Sequence, residues 1–217
     1  MTLPTLHVVG DSISIYYGPY LQMMLTGITA YSRKTAPDGS LDDSGAANGG
    51  DSSMVLDYLR SLRPDRPFDI LLINCGLHDI KRDVTTHELQ VPLDQYEANL
   101  HEILTQAQRL TDRTIWVRTT PVIDERHNRL NTTFQRFESD VEAYNAVADR
   151  IMHEYGISPI DLFTFTRNLG PDVYADHVHF IDEVRAQQAA LIAGNIFAKI
   201  TPTGVATPEL AQIQPCV

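Results

Sequence analysis

The chain has little cysteine. Among its 217 residues only Cys75 and Cys216 carry thiols. Two cysteines that stand so far apart form neither the disulfide framework of a small secreted domain nor the paired-cysteine pattern of a zinc site. We therefore expect both to be free thiols.

The chain also lacks long apolar runs. No window approaches the roughly 20 apolar residues that a membrane-spanning helix needs. Residues 1–7 contain neither the basic region nor the extended apolar stretch of a signal peptide. These absences predict a cytoplasmic protein without a membrane span. Secretion followed by removal of a signal peptide is the alternative.

Positive charge is scarce: 17 lysines and arginines stand against 28 aspartates and glutamates, so the formal net charge is -11. A net negative field repels polyanions. The composition therefore excludes nucleic acid and anionic membrane surfaces as favoured partners. We expect a small-molecule substrate, and a neutral or cationic one fits this charge best.

The length favours one domain, because 217 residues, 43% of them hydrophobic, suffice for one well-buried core and are few for two. Residues 201–217 contain three prolines and no periodic pattern. We predict one domain over residues 1–200 and a C-terminal tail over residues 201–217.

Short runs rich in valine and isoleucine alternate with segments of helical periodicity, which predicts an α/β fold. The predicted strands are residues 6–10, 28–33, 68–75, 114–120 and 157–161. The predicted helices are residues 94–110, 138–155 and about 182–200, together with one that begins at Asp51 or Ser52 and reaches residue 62. This order predicts a parallel sheet of about five strands, covered on both faces, with ligands bound beyond the carboxyl ends of the strands.

Ser12 follows the first predicted strand directly, in the tripeptide Gly10-Asp11-Ser12. A serine hydroxyl is a weak nucleophile at neutral pH, so it needs a base within hydrogen-bond reach and a third group that orients the base. Asp176 and His179, three residues apart before the last helix, could supply both. The combination predicts acyl transfer.

Acyl transfer also needs hydrogen-bond donors directed at the developing oxyanion. Gly50 lies at a predicted helix start, where backbone N–H groups are unpaired. His78 follows the strand that ends at Cys75, so it should lie at the same sheet edge as Ser12. Both residues are candidate donors.

Four short blocks together resemble the SGNH (GDSL) hydrolase family. They are Gly10-Asp11-Ser12, Gly50-Asp51-Ser52-Ser53, Gly76-Leu77-His78-Asp79 and Asp176-His177-Val178-His179, and the resemblance extends over about residues 6–200. It implies a flavodoxin-like three-layer α/β/α sandwich and hydrolysis of esters or thioesters without a cofactor. It further implies that Ser12 is the nucleophile, that Asp176 and His179 complete a triad, and that the N–H groups of Ser12 and Gly50 belong to an oxyanion hole.

The third block departs from the family pattern, which has asparagine where this chain has His78. A neutral histidine donates a hydrogen bond from one ring nitrogen only, and a cationic one would repel a protonated His179. We therefore predict that His78 stays neutral and donates to the oxyanion.

The sequence predicts a serine-dependent carboxylic ester hydrolase that acts through a covalent acyl-enzyme. The predicted substrates are short-acyl esters such as O-acetylated carbohydrates. A lysophospholipase or thioesterase acting on longer acyl groups is one alternative, and a binding module without activity is another. A third alternative is a metal-dependent hydrolase that would use the cluster His78, Asp79, Asp176, His177 and His179 as ligands; we predict no metal site.

Other residues near these blocks allow two interpretations each. His177 is the rival of His179 as the base. Lys81 and Arg82 could meet an acidic substrate group or lie solvated on a helix face. Three tyrosines after Ser12 could line a substrate pocket or pack in the core: Tyr16, Tyr17 and Tyr20.

Overall fold

A computed structural model describes residues 2–41, 46–63 and 67–200. The predicted tail over residues 201–217, with Cys216, lies outside the described residues. Within those three ranges, no helix is both long enough and apolar enough to cross a membrane.

A parallel four-stranded sheet forms the centre of the fold. Its strands are β1 (Thr5–Val9), β2 (Ala30–Arg33), β3 (Ile70–Ile73) and β5 (Thr114–Trp116), in the order β2-β1-β3-β5. All four residues of β3 are fully buried. A strand covered on both faces needs a continuous apolar run rather than alternation, which explains why these segments were readable in the sequence.

The fifth predicted strand, residues 157–161, contributes a single parallel bridge, between Ile160 and Val117. Ile160 donates a hydrogen bond to the carbonyl of Trp116 and accepts one from Arg118. Asp161 directly after it is the N-cap of α6, so the chain leaves the sheet after this one bridge. The sheet therefore has four strands where about five were predicted.

Seven helices within the described ranges connect and cover the sheet: α1 (Ser12–Met24), α2 (Ser52–Ser61), α3 (Leu93–Leu110), α4 (Asp124–Leu130), α5 (Glu138–Glu154), α6 (Leu162–Arg167) and α7 (Asp182–Ile200). The helix α1 packs against α7, whereas α2, α3 and α5 form a second group. These layers confirm the predicted α/β/α sandwich. The start of α2 is also settled, since Asp51 is its N-cap and accepts a hydrogen bond from Met54.

A second, two-stranded antiparallel sheet lies outside the main one. It pairs β4 (Arg82–Asp83) with β6 (Phe134–Gln135). Arg82 binds Asp140 at the start of α5 through two hydrogen bonds of 2.7 Å. This ribbon was not predicted, and it carries Phe134 to the edge of the sheet where Ser12 lies.

His7 is a buried polar residue in the middle of β1. Its Nδ1 lies 2.9 Å from the Ser32 hydroxyl, its Nε2 lies 2.8 Å from the Tyr58 hydroxyl, and its ring stacks on Phe68. Burial, with a smaller contribution from the nearby charge of Arg33, lowers the pKa of His7 to about 4. The native protein therefore holds His7 neutral at every pH above this value.

This burial predicts a specific acid sensitivity. In the unfolded chain His7 becomes protonated as the pH falls below its ordinary pKa of 6.5. In the native protein it becomes protonated only near pH 4. The free energy of unfolding must therefore decrease as the pH falls through this window. A His7→Gln variant cannot titrate, so its stability should depend less steeply on pH, by about 1 kcal/mol per pH unit. Urea unfolding at pH 6.5, 5.5 and 4.5 measures the two slopes, and equal slopes would contradict the prediction.

Candidate active site

Ser12 lies where β1 passes into α1, at the carboxyl edge of the sheet. Asp11 caps the helix, because its carboxylate accepts a hydrogen bond of 3.0 Å from the backbone N–H of Ile13. The cap fixes the direction in which the first residue of α1 projects. The Ser12 side chain is 8% exposed and lines a cleft open to solvent.

The structure brings Ser12, His179 and Asp176 together. Nε2 of His179 lies 2.8 Å from Oγ of Ser12, and Nδ1 lies 2.6 Å from Oδ2 of Asp176. The other carboxylate oxygen of Asp176 accepts hydrogen bonds from the backbone N–H groups of Val178 and His179 at 2.8 and 2.7 Å. A turn of four residues thus holds the carboxylate against the imidazole.

This turn also fixes the charge of Asp176. Burial acts to raise the pKa of the carboxyl, but the two backbone N–H groups and the His179 ring outweigh it and lower the pKa to about 2. An ionised Asp176 requires the proton of a neutral His179 to sit on Nδ1. Nε2 is then free to accept the hydrogen bond from the Ser12 hydroxyl.

An aromatic side chain packs against the His179 ring, and a cationic side chain packs in turn against the aromatic one. The edge of the His179 ring meets Tyr16, with 4.7 Å between ring centroids, and the guanidinium of Arg185 covers the tyrosine ring at 4.5 Å. Tyr16 therefore touches the His179 ring, whereas Tyr17 is buried in the core and Tyr20 is partly buried against it.

His177 makes no hydrogen bond to Ser12, although it lines the same cleft. Its ring meets the buried ring of His127 edge-on, with centroids 4.8 Å apart. Its Nδ1 is buried and has no hydrogen-bond partner in the described parts of the chain. The geometry therefore gives the contact with Ser12 to His179.

The loop before α2 packs tightly against the Ser12 segment. Gly49 donates a backbone hydrogen bond of 2.9 Å to the carbonyl of Gly10, and a Cβ on Gly49 would lie 3.0 Å from that carbonyl. Gly50 has a φ of +72° and would place a Cβ 2.4 Å from Sδ of Met54. Its N–H donates to Oδ1 of Asn48 at 2.9 Å. Backbone crowding disfavours a side chain at position 49, and the positive φ disfavours one at position 50.

The third block is tied to the start of α2 through Asp79. This buried carboxylate accepts hydrogen bonds from the backbone N–H of Ser52 at 2.9 and 3.1 Å, and burial raises its pKa to about 6. Gly76 has a φ of +137°, and a Cβ there would lie 2.5 Å from the Thr119 hydroxyl. The block is thereby anchored at both ends, with His78 between the anchors.

His78 projects into the cleft. Burial, followed by the positive charges of Lys81 and Arg136, lowers its pKa to about 3. Neither ring nitrogen makes a hydrogen bond to the residues that the structure describes. His78 is thus neutral at physiological pH, and a nitrogen is available to a ligand.

The cleft has a volume of about 200 Å³. Its lining consists of Ser12, Asn48, His78, Lys81, Phe134, Arg136, His177, Val178 and His179. Three of these residues were not predicted from the sequence: Asn48, Phe134 and Arg136. Asn48 lies in a loop of turn-forming residues, and the other two lie in a segment without a motif, so no local signal distinguishes them.

The residues considered as metal ligands do not converge. Asp79 binds the N-terminus of α2, and Asp176 binds His179 and its own turn. In residues 2–41, 46–63 and 67–200, no group of three or more histidine, cysteine, aspartate or glutamate side chains is placed to hold a metal ion. The metal-dependent alternative thus has no ligand set in this part of the chain.

Cys75 confirms one sequence prediction, since it is a free, fully buried thiol. Burial, with the nearby carboxylates of Asp79 and Asp11, raises its pKa well above the ordinary value. A buried thiol of this kind is chemically inert. Cys75 therefore belongs to the core.

Comparison with known proteins assigns the class. The model of the GDSL-like lipase/acylhydrolase family matches residues 8–186. No curated protein matches the sequence. The chain belongs to the GDSL-like lipase/acylhydrolase family, and it is a carboxylic ester hydrolase.

Solved structures share the fold at low sequence identity. A lipase/acylhydrolase from Enterococcus faecalis is 15% identical with a TM-score of 0.67, and the match covers 91% of this chain and 97% of that one. A mutant acetyl-xylooligosaccharide esterase from Geobacillus Stearmophilus is 17% identical with a TM-score of 0.64, covering 96% and 99%. A carbohydrate esterase of family 3 from Talaromyces cellulolyticus is 14% identical with a TM-score of 0.63, covering 91% and 98%.

Proposed function

We propose that the protein is a serine esterase that cleaves short-acyl esters, such as O-acetyl groups on carbohydrates, through a covalent acyl-enzyme. The observation that carries the proposal is the continuous hydrogen-bonded series from Ser12 through His179 to Asp176, with distances of 2.8 and 2.6 Å. The series opens on a cleft with further donors, which is the arrangement that acyl transfer requires.

The reaction proceeds in two halves. Oγ of Ser12 attacks the ester carbonyl carbon while its proton passes to Nε2 of His179. The carbon–oxygen bond to the alcohol then breaks, and His179 returns the proton to the departing alkoxide. A water molecule attacks the acyl-enzyme in the same way, which releases the carboxylic acid and restores Ser12. Ionised Asp176 stabilises the cationic imidazole in both halves.

Three donors surround the position of the oxyanion in this proposal. The N–H of Ser12 lies in the first turn of α1, where no described residue accepts it. The N–H of Gly50 already donates to Asn48, so the Asn48 side chain must share or release it when substrate binds. The neutral ring of His78 supplies the third donor.

The size of the cleft supports small acyl groups. Its volume of about 200 Å³ is below the roughly 300–1,000 Å³ of pockets for drug-sized ligands. Two of the structural relatives named above are esterases of acetylated or carbohydrate substrates by their titles. Both points favour acetyl over the long acyl groups of a lysophospholipase or thioesterase.

A series of 4-nitrophenyl esters from acetate to palmitate, measured together with acetylated xylo-oligosaccharides, tests the proposal. We expect the highest kcat/KM for acetate or butyrate and measurable release of acetate from the oligosaccharides. Ser12→Ala serves as the blank. A maximum at palmitate would replace the short-acyl proposal with the lysophospholipase or thioesterase alternative.

The donor role of His78 gives a separate prediction. His78→Ala should lower kcat about 10²-fold, since loss of one oxyanion donor typically costs that much. His78→Asn retains a donor that does not titrate, so it should keep turnover within about tenfold of the wild type. Steady-state kinetics with 4-nitrophenyl acetate measures both variants.

The pH profile supplies the control for His78. Because the pKa of His78 is lowered to about 3, its charge does not change above about pH 4, and His78→Asn should leave the acidic limb of the profile in place. Full activity in His78→Ala would refute the donor role, and a shifted acidic limb in His78→Asn would refute the neutral state.

The cytoplasmic location and the single domain over residues 1–200 stay predictions. Cell fractionation and limited proteolysis test them: we expect the activity in the cytosolic fraction and one resistant fragment that ends near residue 200.

A further inference from the structure

Arg136 places a buried guanidinium in the wall of the cleft that Ser12 also lines. Its side chain is 3% exposed and lines the cleft. Its Nε donates a hydrogen bond of 2.7 Å to the carbonyl of Leu77, and its Nη1 lies 3.2 Å from Nε2 of His127. The amide of Asn128 binds both the N–H and the carbonyl of Arg136 at 3.0 Å. The guanidinium is thus held rigidly, while no described residue accepts a hydrogen bond from its Nη2.

No described carboxylate forms an ion pair with Arg136. Within the described residues, no aspartate or glutamate oxygen lies within 4.0 Å of Arg136. The negative charge of Asp11 acts on Arg136 from beyond ion-pair distance, and the Asp11 carboxylate itself accepts a hydrogen bond from the backbone N–H of Ile13. Burial lowers the pKa of Arg136 to about 10, so the guanidinium is still cationic at neutral pH. A buried, uncompensated cation is costly to folding unless a ligand completes it.

Lys81 adds a second cation to the same cleft. It is half-buried, and its Nζ lies 5.0 Å from the centroid of the Phe134 ring. The guanidinium carbon of Arg136 lies 4.9 Å from the same ring. Lys81 also has no ion-pair partner in the described residues. Burial and the charge of Arg136 lower its pKa, against the smaller opposing effect of the carboxylates of Asp51, Asp11 and Asp79. Two like charges therefore converge on Phe134.

The neighbouring residue Arg82 shows the contrast. It binds both oxygens of Asp140 at 2.7 Å, as expected of a cation in an acidic protein. Lys81 and Arg136 have no such partner among the described residues, and they are the two lysine or arginine side chains that line the cleft. The interpretation of Lys81 as a helix-face residue is wrong, since Lys81 lies directly before β4, outside any helix, and lines the cleft.

We propose that the substrate is an ester that carries a carboxylate, which Arg136 and Lys81 bind while Ser12 attacks the ester carbonyl. The planar fork of a guanidinium matches the two oxygens of a carboxylate. The overall charge of -11 favoured a neutral or cationic substrate, but the local charge in the cleft is positive. This inference rests on the proposed serine esterase and names its substrate class.

Two pairs of synthetic esters test the proposal and locate the carboxylate. The first pair compares anionic 4-acetoxybenzoate with neutral 4-acetoxybenzamide, so the charge lies on the alcohol side of the ester. The second pair compares anionic 4-nitrophenyl hydrogen glutarate with neutral 4-nitrophenyl pentanoate, so the charge lies on the acyl side. Each kcat/KM is divided by the hydroxide-catalysed rate of the same ester, after subtraction of spontaneous hydrolysis. In one pair the anionic ester should be favoured at least about tenfold at low salt, as expected for charge-assisted hydrogen bonds. This preference should shrink at 0.5 M salt.

Variants assign the preference to the two cations. Lys81→Met and Arg136→Gln should each lower the ratio of anionic to neutral kcat/KM at least about fivefold. Lys199→Met is the charge-matched control. Lys199 is exposed near the C-terminal end of α7, about 25 Å along the helix from its first residue, Asp182. Its ratio should equal that of the wild type. If Arg136→Gln fails to fold, Lys81→Met alone decides.

The outcomes separate this proposal from the proposed function. Hydrolysis of the neutral esters by the wild type, with no preference for either anionic ester, would overturn the carboxylate proposal and leave the serine esterase intact. A preference that survives in both cleft variants would also overturn it. If the cleft variants lose the same factor in kcat/KM on neutral and anionic esters, the two cations act on the oxyanion. That result would overturn the proposal that they bind a substrate carboxylate. Absence of all hydrolysis would instead contradict the proposed function.

Discussion

Replacement of Ser12 by alanine is expected to lower kcat for 4-nitrophenyl acetate about 10⁴-fold or more. The hydroxyl of Ser12 forms the covalent bond in the proposed reaction, and no described side chain stands in its place within hydrogen-bond reach of Nε2 of His179. The variant should fold normally, because Asp11 caps α1 through its own carboxylate and not through the Ser12 hydroxyl. Steady-state kinetics and a urea unfolding curve measure the two expectations.

Ser61→Ala is the matched control for this experiment. Ser61 ends α2, is exposed, and donates its hydroxyl to the carbonyl of Tyr58. The same chemical change there should leave kcat unaltered. Turnover above about a tenth of the wild-type value in Ser12→Ala would rule out Ser12 as the nucleophile, since such residual activity is far above what triad variants retain.

Replacement of His179 by alanine should have the second-largest effect, a loss of about 10⁴-fold in kcat. His179 is the residue in contact with both Ser12 and Asp176, at 2.8 and 2.6 Å. Without it the Ser12 hydroxyl has no base, and the departing alkoxide has no proton donor. KM should change little, because the imidazole acts on the proton rather than on the bound ester.

His177→Ala is the informative comparison, because the sequence left His177 as the rival base. His177 lines the cleft, but its ring contacts His127 and not the Ser12 hydroxyl. We expect His177→Ala to keep kcat within about tenfold of the wild type, as for a residue outside the proton transfer. A larger loss in His177→Ala than in His179→Ala would reverse the assignment.

The main sheet was predictable because of its burial. A parallel strand covered on both faces must be apolar throughout, so Ile70–Ile73 and its neighbours appear as uninterrupted runs. The helices α3 and α5 were equally clear, because each presents one apolar stripe to the sheet. The exception was the segment at Ile160, whose hydrophobic pattern was right but which forms one bridge only and enters α6 at the capping Asp161.

The contact between Ser12 and His179 could be predicted for a different reason. A serine nucleophile needs a base within hydrogen-bond reach, so the residue types and not the sheet topology pointed to this pair. Ser12 follows β1 directly, whereas His179 follows no strand of the main sheet and lies in the turn before α7. The turn at Asp176 also has a local cause, because its carboxylate bonds the N–H groups two and three residues on.

Phe134 and Arg136 could not be found in this way. They reach the cleft through β4 and β6, strands of two residues each that are too short for a periodic pattern. Their positions depend on contacts across long sequence separations, such as that of Arg136 with Leu77. A buried arginine has no local signature, because its hydrogen-bond partners are carbonyls and amides distant in the sequence.

The most direct test of the account is covalent labelling of the enzyme with a fluorophosphonate, read by intact-mass and peptide mass spectrometry. The account predicts one added phosphonyl group, located on the peptide that contains Ser12, in the wild type and in Ser61→Ala, and no addition in Ser12→Ala. Labelling of a different residue, or undiminished labelling of Ser12→Ala, would contradict it.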